Sequence, residues 1–517
     1  MSLLRSSATV GLLTLLSRVF GFIRDVLVAD IMGAGPLSDA FLVAFKIPNF
    51  FRKLFAEGAF NAAFLPMFAG MLKVKGKEVA MHFASSIMSA LIVVLILVSA
   101  VSMYFMGEIL ALIAPGFHAS PEIRALTIEL SRITFPYLIF ISLVSLLSGI
   151  LNSYDKFVAS TLNPVLLNIA MIFTATCVTG ITKTDAHALA YGVLLAGILQ
   201  LAWMIHATMR FRVLPRVQKP VWDDDVRTMM HKFVPVAFSA GIVQVNQLID
   251  MVLASYMDSA VSYLYYADRL YELPLGVIGI AIATALLPML SRHIRANEHE
   301  EARRAIDEAL RFCLLVGLPA TVALIAIADP IIRIMYEHGQ FDASDSNAVI
   351  PALIAYAWGL PSFLMIKVFS SSFFAAQDTK TPVKIALICM CVNLVGNLIL
   401  SQYYQHVGLA ASTSISGWLN ACLLGYLLKK KGVFSPSREL IQWSMKIVVA
   451  VLGMAVLLEL CESGLSPWLH STQLAWQVSS LSLLIVAGTV TYGVGIVGTG
   501  VVKRSDLQRW LQKNPKK

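Results

Sequence analysis

Residues 80–106 read AMHFASSIMSALIVVLILVSAVSMYFM, a stretch without a single Asp, Glu, Lys or Arg. A helix of about 20 apolar residues crosses the roughly 30 Å hydrocarbon core of a bilayer. Similar runs recur along the 517 residues, of which 57% are hydrophobic and 14% are charged. Because backbone polar groups in lipid need partners within their own segment, helices are favoured over the weaker alternating strands of a barrel. The sequence therefore predicts an all-α polytopic membrane protein.

The apolar runs predict about fourteen transmembrane helices. Pro48 and Pro66 interrupt the second run, and Pro274 and Pro288 interrupt the eighth, so bent or broken helices are expected there. The predicted spans are 8–32, 38–72, 80–106, 124–150, 160–181, 188–210, 233–257, 262–291, 307–328, 348–376, 383–402, 408–428, 440–460 and 474–501.

Lysine and arginine are concentrated in alternate loops. One set of loops, with residues 73–77, 210–227, 292–304 and 429–438 and the tail from Lys503, is rich in both. The other set contains Lys183 as its only basic residue. Since cytoplasmic loops carry the excess of positive charge, both termini are predicted to lie in the cytoplasm. The net charge of +9 is thus assigned to topology and to attraction of anionic membrane lipids, and not to nucleic acid.

An internal repeat is visible at an offset of roughly 220–226 residues. Two copies of six spans predict two pseudo-symmetric lobes that enter from the same side of the membrane. The predicted domains are an N-terminal six-helix lobe (1–215), a C-terminal six-helix lobe (225–431), helices 13 and 14 (438–502) and a basic cytoplasmic tail (503–517). The matched residues are Asp25 with Asp250, Ala29 with Ala254, Lys46 with Arg269, and Leu65-Pro66-Met67 with Leu287-Pro288-Met289.

Ionisable residues inside the predicted spans are the candidate functional residues. Insertion scales put a charge at mid-membrane at about 2.5–3.5 kcal/mol, so these groups are expected to face a water-filled cavity or one another. They are Arg18, Arg24 and Asp25 in helix 1; Asp39, Lys46, Arg52, Lys53 and Glu57 in helix 2; Asp250 in helix 7; Asp268, Arg269 and Glu272 in helix 8; and Lys367 in helix 10.

Cations outnumber acids in this set, which predicts a cleft between the lobes that binds an anion. Arg18 and Asp25 are seven residues apart and share one helix face, whereas Arg24 is expected to point about 120° away. Guanidinium groups match phosphate oxygens, so a lipid-linked pyrophosphate fits such a cleft and a drug cation does not. We assign substrate binding to Arg18, Arg24, Arg52 and Arg269.

The alternative is structural. Cations near span ends extend to the interface, and Arg–Asp pairs lock helices together. For Lys53 and Glu57 this alternative is the preferred interpretation.

Asp250 on helix 7, with Asn393 and Asn397 on helix 11, forms a second candidate group. The two asparagines are four residues apart and share one face. One carboxylate and two amide oxygens predict a Na⁺ site, because hard cations prefer oxygen ligands. Interhelical hydrogen bonding is the favoured alternative, and Asp250 alone could also carry a proton. No cofactor is expected, and coupling to Na⁺ or H⁺ stays open.

Enzyme signatures are absent from the sequence. It contains no Gly-rich phosphate loop, no H-E-x-x-H, no zinc spacing and no G-x-S-x-G. The six cysteines form no C-x-x-C pair and lie in apolar segments. The longest charged element, residues 291–311, is predicted to be an interfacial helix. A catalytic function is not expected.

Several motifs carry a family resemblance. Residues 17–25 read SRVFGFIRD, and Asp39-Ala40-Phe41, Lys46-Ile47-Pro48-Asn49, Arg52 and residues 55–60 (FAEGAF) follow. Residues 265–270 (YYADRL) and 377–384 (QDTKTPVK) extend the match. In these motifs the chain resembles the MurJ (MviN) family of lipid II flippases over nearly its whole length.

The resemblance implies a member of the multidrug/oligosaccharidyl-lipid/polysaccharide exporter superfamily in the bacterial cytoplasmic membrane. It implies transport of the undecaprenyl-pyrophosphate-linked peptidoglycan precursor, with helices 13 and 14 as a groove for the lipid tail. The expected partners are lipid II, membrane lipids and the cell-wall synthesis machinery. The protein itself is expected to be a monomer. The residues that match required or cavity positions of the family are Arg18, Arg24, Arg52, Arg269, Asp39, Lys46, Asp268 and Lys367, with Asp25 beside them.

Three rival functions are weighed against this one. A multidrug antiporter of the same superfamily predicts an apolar or acidic cavity. A flippase for another lipid-linked oligosaccharide shares the physics, and only the motifs disfavour it. A membrane glycosyltransferase would need catalytic carboxylates at the membrane surface and a large outer loop, and the weakly charged loops here are short.

Overall fold

The computed structural model describes residues 3–53, 59–219, 224–296, 298–471 and 473–502. Within these ranges the regular structure is helical and no strand occurs. A short 3₁₀ helix, Pro115–Ala119, joins two of the α-helices. The α-helices are α1 (Leu3–Met32), α2 (Pro36–Arg52), α3 (Ala59–Val74), α4 (Lys77–Tyr104), α5 (Met106–Ile113), α6 (Pro121–Thr134), α7 (Tyr137–Ser153), α8 (Phe157–Thr161), α9 (Asn163–Cys177), α10 (Asp185–Arg210), α11 (Asp224–Ala254), α12 (Ala260–Arg295), α13 (His299–Ala326), α14 (Ala328–Tyr336), α15 (Ala343–Ala375), α16 (Lys380–Lys430), α17 (Arg438–Leu469) and α18 (Leu474–Gly498).

Local sequence explains where several helices begin. Asp342 precedes α15, and its carboxylate accepts hydrogen bonds from the backbone N–H groups of Ser344 (2.7 Å) and Asp345 (3.0 Å). Ser437 precedes α17, and its hydroxyl accepts the N–H of Leu440 at 3.0 Å. Each cap satisfies amides that the first helical turn leaves without an intrahelical acceptor. Pro36 begins α2, where the missing N–H of proline costs nothing.

The helix α16 consists of two antiparallel arms. Gln405 has φ 48° and ψ −130°, outside helical geometry, and separates residues 380–404 from 406–430. The Ser412 hydroxyl of the second arm donates to the backbone oxygen of Asn393 in the first, at 2.8 Å. A Cβ at Gly408 would collide with the backbone oxygen of Leu400, so only glycine permits this close turn. The two predicted spans 383–402 and 408–428 are thus confirmed as separate arms.

The sequence predicts a separate interfacial helix over residues 291–311, and the structure contradicts this prediction. The first residues of this segment end α12 at Arg295, and the rest begin α13 at His299. The physical reason is a continuous apolar face, because Ala302, Ile306 and Leu310 are buried and carry the helix directly into the apolar part of α13.

The four prolines of the two interrupted spans all lie inside helices, Pro48 in α2, Pro66 in α3, and Pro274 and Pro288 in α12. The helix α12 continues through Pro274 and Pro288. In the second predicted span, α2 ends at Arg52 and α3 begins at Ala59, and the intervening residues 54–58, with Glu57, lie outside the described ranges. The basic tail 503–517 lies outside them as well.

Nine helical stretches in the described part of the chain are long and apolar enough to cross a membrane. The stretch Lys380–Lys430 is one of the nine and contains both arms of α16. The helices α1, α11 and α12, which hold many of the intramembrane charges, are not among them. By length and composition, the described part of the chain is thus a helical structure able to cross a membrane several times. The count of about fourteen spans stays a prediction.

The chain packs into two compact units. The first comprises Met1–Ser262 with His338–Phe341, and the second comprises Tyr263–Glu337 with Asp342–Lys517. This division reflects which residues contact one another, whereas the predicted six-helix lobes were inferred from an internal repeat. Those lobes stay a prediction.

Each unit has its own apolar core. In the first unit, the rings of Phe60, Phe64 and Phe68 stack in sequence with centroids 5.4 Å apart. In the second unit, buried residues of α12, α13, α15, α16 and α17, among them Ile306 and Leu364, form one cluster.

Candidate functional site

Arg24 is held by hydrogen bonds inside the first unit. Its Nε and Nη2 donate to Oδ1 of Asp25 at 3.0 and 2.7 Å, and its Nη1 donates to Oδ1 of Asn168 on α9 at 2.9 Å. The side chains of Arg24 and Asp25 are 9% and 6% exposed. The expectation that Arg24 points away from Asp25 is wrong, because its long side chain curls back to its neighbour. Buried guanidinium and carboxylate groups satisfy each other in this way.

Asp39 is buried near the start of α2. Its Oδ1 accepts the backbone N–H of Ser262, in the first turn of α12, at 2.8 Å. This N–H is one of those that a helix start leaves without an intrahelical acceptor, and a carboxylate there also faces the positive end of the helix dipole. Asp39 therefore caps a helix that is distant in sequence.

The cations of α2 differ in exposure. Lys46 is exposed, and Arg52 and Lys53 are partly buried at the end of the helix. Lys53 Nζ donates to Oε1 of Gln247 on α11 at 3.2 Å. This contact joins α2 to α11, which is the structural role preferred for Lys53.

In the second unit, Arg269 lies against an aromatic ring. Its guanidinium carbon is 4.6 Å from the ring centroid of Tyr265. Its Nη1 lies 3.3 Å from Oε2 of Glu272, one turn along α12. The side chain is 34% exposed. Asp268 beside it is partly buried, and Lys367 on α15 is exposed.

The predicted substrate-binding residues are thus divided between the two units. The first unit contains Arg18, which is partly buried, and Lys46 and Arg52, together with the hydrogen-bonded groups of Arg24, Asp25 and Asp39. The second unit contains Asp268, Arg269 and Lys367. The first group thus has four cations and two carboxylates. The predicted cleft between lobes stays a prediction.

The candidate Na⁺ residues are also divided. Asp250 lies on α11 in the first unit, and the two asparagines lie on α16 in the second. Asn397 Nδ2 donates to Oδ1 of Asn393 at 3.2 Å, and both residues are buried. This bond lies within the first arm of α16, whereas Asn393 Nδ2 also donates to the Ser412 hydroxyl of the second arm at 3.4 Å, which is hydrogen bonding between helices of the kind that the favoured alternative describes. The described residues hold no group of three or more His, Cys, Asp or Glu that could bind a metal. The Na⁺ site stays a prediction.

An apolar cavity of about 620 Å³ lies beside α17 in the second unit. Its walls come from α13, α15, the second arm of α16 and α17, and include Phe369, Tyr426 and Val448. The helix α18 packs against α17 and does not line this cavity.

Sequence reasoning missed Asn168, Ser262 and Tyr265. Asn168 could have been noticed because its amide lies within an apolar span, where a polar side chain needs a hydrogen-bonding partner. Ser262 contributes a backbone N–H, which no side-chain pattern reveals. Tyr265 lies four residues before Arg269, the spacing at which helical side chains meet.

The chain is similar to proteins of one family. The family model described as lipid II flippase MurJ matches residues 28–484. A protein of Rhizobium meliloti, named a probable lipid II flippase MurJ, is 37% identical over 98% of this chain and 96% of its own. A protein of Rickettsia prowazekii with the same name is 34% identical over 95% of this chain and 97% of its own.

Solved structures agree. A structure described as lipid II flippase MurJ in an inward closed conformation matches with a TM-score of 0.79 and 28% identity, over 94% of this chain and 97% of that one. An inward-facing multidrug transporter of the MATE family matches with a TM-score of 0.65 and 14% identity, over 81% of this chain and 94% of that one, which shows a shared fold alone. The chain therefore belongs to the MurJ family of lipid II flippases, which are membrane transporters of peptidoglycan biosynthesis and not enzymes.

Proposed function

We propose that this protein moves lipid II, the undecaprenyl-pyrophosphate-linked peptidoglycan precursor, from the inner to the outer leaflet by alternating access. The pyrophosphate binds to Arg18, Arg24, Arg52 and Arg269, with Lys46 and Lys367 adding positive charge. Asp25, Asp39 and Asp268 orient the cations and helices around them. The observation that supports this most is Arg24, a buried arginine oriented by two hydrogen-bonding partners in a chain of the MurJ family.

Charge explains why this cluster suits pyrophosphate. An arginine fork binds phosphate oxygens through paired N–H groups. The candidate residues in the first unit, four cations and two carboxylates, leave an excess of positive charge for an anion to neutralise. A cationic drug would be repelled there, which disfavours a multidrug antiporter.

The lipid tail stays in the membrane while the headgroup crosses. The apolar cavity beside α17 offers a surface for part of the polyprenyl chain. Because lipid tails are as apolar as this cavity, the contact gains van der Waals packing and no hydrophobic transfer energy. Helices 13 and 14 of the prediction correspond to α17 and α18.

Transport proceeds by exposing the cationic cluster first to the cytoplasm and then to the outside. An anion that leaves a negative interior gains about 2.3 kcal/mol per charge per 100 mV. We expect both termini in the cytoplasm, a monomer, and encounters with the cell-wall synthesis machinery. Asp250 is the candidate for coupling to Na⁺ or H⁺, with Asn393 and Asn397 as further oxygen ligands.

The test is growth rescue in cells depleted of their own lipid II flippase. Wild type is compared with Arg18→Ala, Arg24→Ala, Arg52→Ala and Arg269→Ala, and the membrane abundance of each is measured. Arg304→Ala is the matched control, because Arg304 is 71% exposed and pairs with Glu301 on the helix surface.

Rescue by wild type and by the control is expected, with loss in the Arg18, Arg52 and Arg269 variants at normal abundance. For Arg24→Ala, which breaks a buried ion pair, rescue is compared per molecule of protein in the membrane. Failure of well-expressed wild type would favour another lipid-linked oligosaccharide as substrate. Rescue by all four variants would return the arginines to a structural role.

A further inference from the structure

We infer that Asn168 is a positioning residue for substrate binding, because it fixes the direction of the Arg24 guanidinium. This inference rests on the proposed function, since it needs Arg24 to bind the pyrophosphate. Asn168 lies in α9, is 5% exposed, and carries no role in the assignments above.

The amide of Asn168 is oriented by the chemistry of its partners. Its Oδ1 accepts from Nη1 of Arg24 at 2.9 Å, and its Nδ2 donates to the backbone oxygen of Ser17 at 2.9 Å. A guanidinium only donates and a carbonyl oxygen only accepts, so the amide cannot be turned around without losing both bonds. The direction of the side chain is therefore fixed from both ends.

One face of α1 is shaped to receive this amide. Ser17, Gly21 and Arg24 lie at spacings of four and three, on the same side of the helix. A Cβ at Gly21 would lie 3.3 Å from Nδ2 of Asn168, which is tighter than ordinary contact. Gly21 thus leaves room for Asn168 between the two residues that it binds.

Asp25 and Asn168 then hold the guanidinium between them. Asp25 accepts hydrogen bonds from Nε and Nη2 of Arg24, and Asn168, which lies on a different helix, accepts one from Nη1. Asp25 Oδ1 receives two of these bonds at a single point, and the bond to Asn168 adds a second point from another helix. A planar fork binds phosphate only when its direction is right, so the second contact prepares the group for substrate.

The consequence is a loss of affinity without a loss of fold. A hydrogen bond to a charged group is worth enough to change affinity about tenfold or more. Asn168→Leu keeps the branched shape and the number of heavy atoms of the side chain and removes both hydrogen bonds. We expect it to weaken lipid II binding about tenfold and to lower the thermal midpoint moderately, because the buried Nη1 of Arg24 loses this acceptor.

The experiment measures lipid II affinity and the thermal midpoint of the purified full-length protein. The variants are Arg24→Ala, Asn168→Leu and the double variant. If Asn168 acts through Arg24, the double variant binds no more weakly than Arg24→Ala. A helix-packing role would instead give losses of affinity that add in the double variant.

Gly21→Ala is a second variant, should Asn168→Leu fail to fold. Its added methyl group pushes the amide away from Arg24, so a smaller loss of affinity is expected. Wild-type affinity in the folded Asn168 or Gly21 variants, with loss in Arg24→Ala, would overturn this inference alone. Wild-type affinity in Arg24→Ala would overturn the proposed phosphate site and this inference with it.

Discussion

Arg24 in the first unit and Arg269 in the second show two ways of keeping an arginine inside a membrane protein. Arg24 is 9% exposed and is held by Asp25 and by an amide from another helix. Arg269 is 34% exposed, lies on the face of Tyr265 and is 3.3 Å from Glu272, which is 49% exposed. Three hydrogen bonds of 2.7, 2.9 and 3.0 Å hold the first guanidinium, whereas the second makes a longer hydrogen bond of 3.3 Å to Glu272 and a ring contact.

The difference teaches that the same residue type can meet the substrate in two ways. A ring face attracts a cation over a broad area, so Arg269 can follow a moving headgroup. The directional bonds of Arg24 hold it in one pose. We expect Arg24 to define the binding position and Arg269 to accompany the substrate, and variants that separate stability from transport test this contrast.

The largest effect on stability is expected from Arg24. Removal of one partner of a buried ion pair costs about 3–5 kcal/mol. Arg24→Met should therefore lower the free energy of unfolding by that amount, measured by denaturation of the purified protein. Arg24→Met/Asp25→Leu should recover most of it without restoring transport. A fully stable Arg24→Met would contradict the buried-pair account.

A smaller effect is expected at Asp39. Loss of a helix-capping acceptor costs about 0.5–2 kcal/mol, so Asp39→Ala should lower the free energy of unfolding within that range. Asp39→Asn keeps an oxygen for the N–H of Ser262 and should lose less. Equal losses in the two variants would show that the charge, and not the hydrogen bond, stabilises the start of α12.

Arg269 should matter little to stability. Exposed ion pairs contribute about 0–1 kcal/mol, so Arg269→Ala should unfold almost as wild type does. Arg269→Lys keeps the charge and part of the attraction to Tyr265, but lacks the planar fork. It should transport less than wild type and more than Arg269→Ala, in lipid II delivery per molecule of protein. A large loss of stability in Arg269→Ala would remove the contrast with Arg24.

The smallest effect concerns Asp378, outside the spans. A hydrogen bond from Lys431 Nζ (2.6 Å), and then the bonds from Thr381, lower the pKa of Asp378 below its ordinary value. A carboxyl whose pKa is lower in the folded state than in the unfolded state stabilises the fold at pH values above its unfolded-state pKa, about 4. This contribution is lost as the pH falls from that value through the folded-state pKa.

Thermal midpoints at several pH values test this. Lys431→Gln should melt below wild type at pH 7, and the gap should narrow as the pH falls below about 4. Asp378→Asn, which cannot titrate, is the control background. The difference in thermal midpoint between Asp378→Asn and the Asp378→Asn/Lys431→Gln double variant should not narrow in acid. A gap that widens in acid would contradict the assignment.

Much of the fold was predictable from apolar runs and breaks. The turn at Gln405 lies where the sequence interrupts two apolar runs, and both arms follow the expected boundaries. The border between α12 and α13 was not predictable from charge. Residues 291–311 look polar in sequence, but their buried face belongs to the core of the second unit.

The candidate site was predictable by residue type and not by geometry. A charged residue within an apolar span is conspicuous in the sequence, because placing a charge in lipid costs free energy and such residues are therefore rare. The direction of Arg24 was not predictable, because its flexible side chain reaches a neighbour that the helical period places elsewhere. Its partner Asn168 lies 144 residues away along the chain, and a single sequence contains no signal for that contact.

The most direct test of the cationic site is the leaflet distribution of lipid II in flippase-depleted cells that carry Arg269→Ala, with Arg304→Ala as control. Arg269 is chosen because its removal should leave the fold intact. Accumulation of lipid II in the inner leaflet, at normal abundance and normal thermal midpoint, is the predicted result. Delivery to the outer leaflet at the wild-type rate would contradict the claim that this cation binds the substrate.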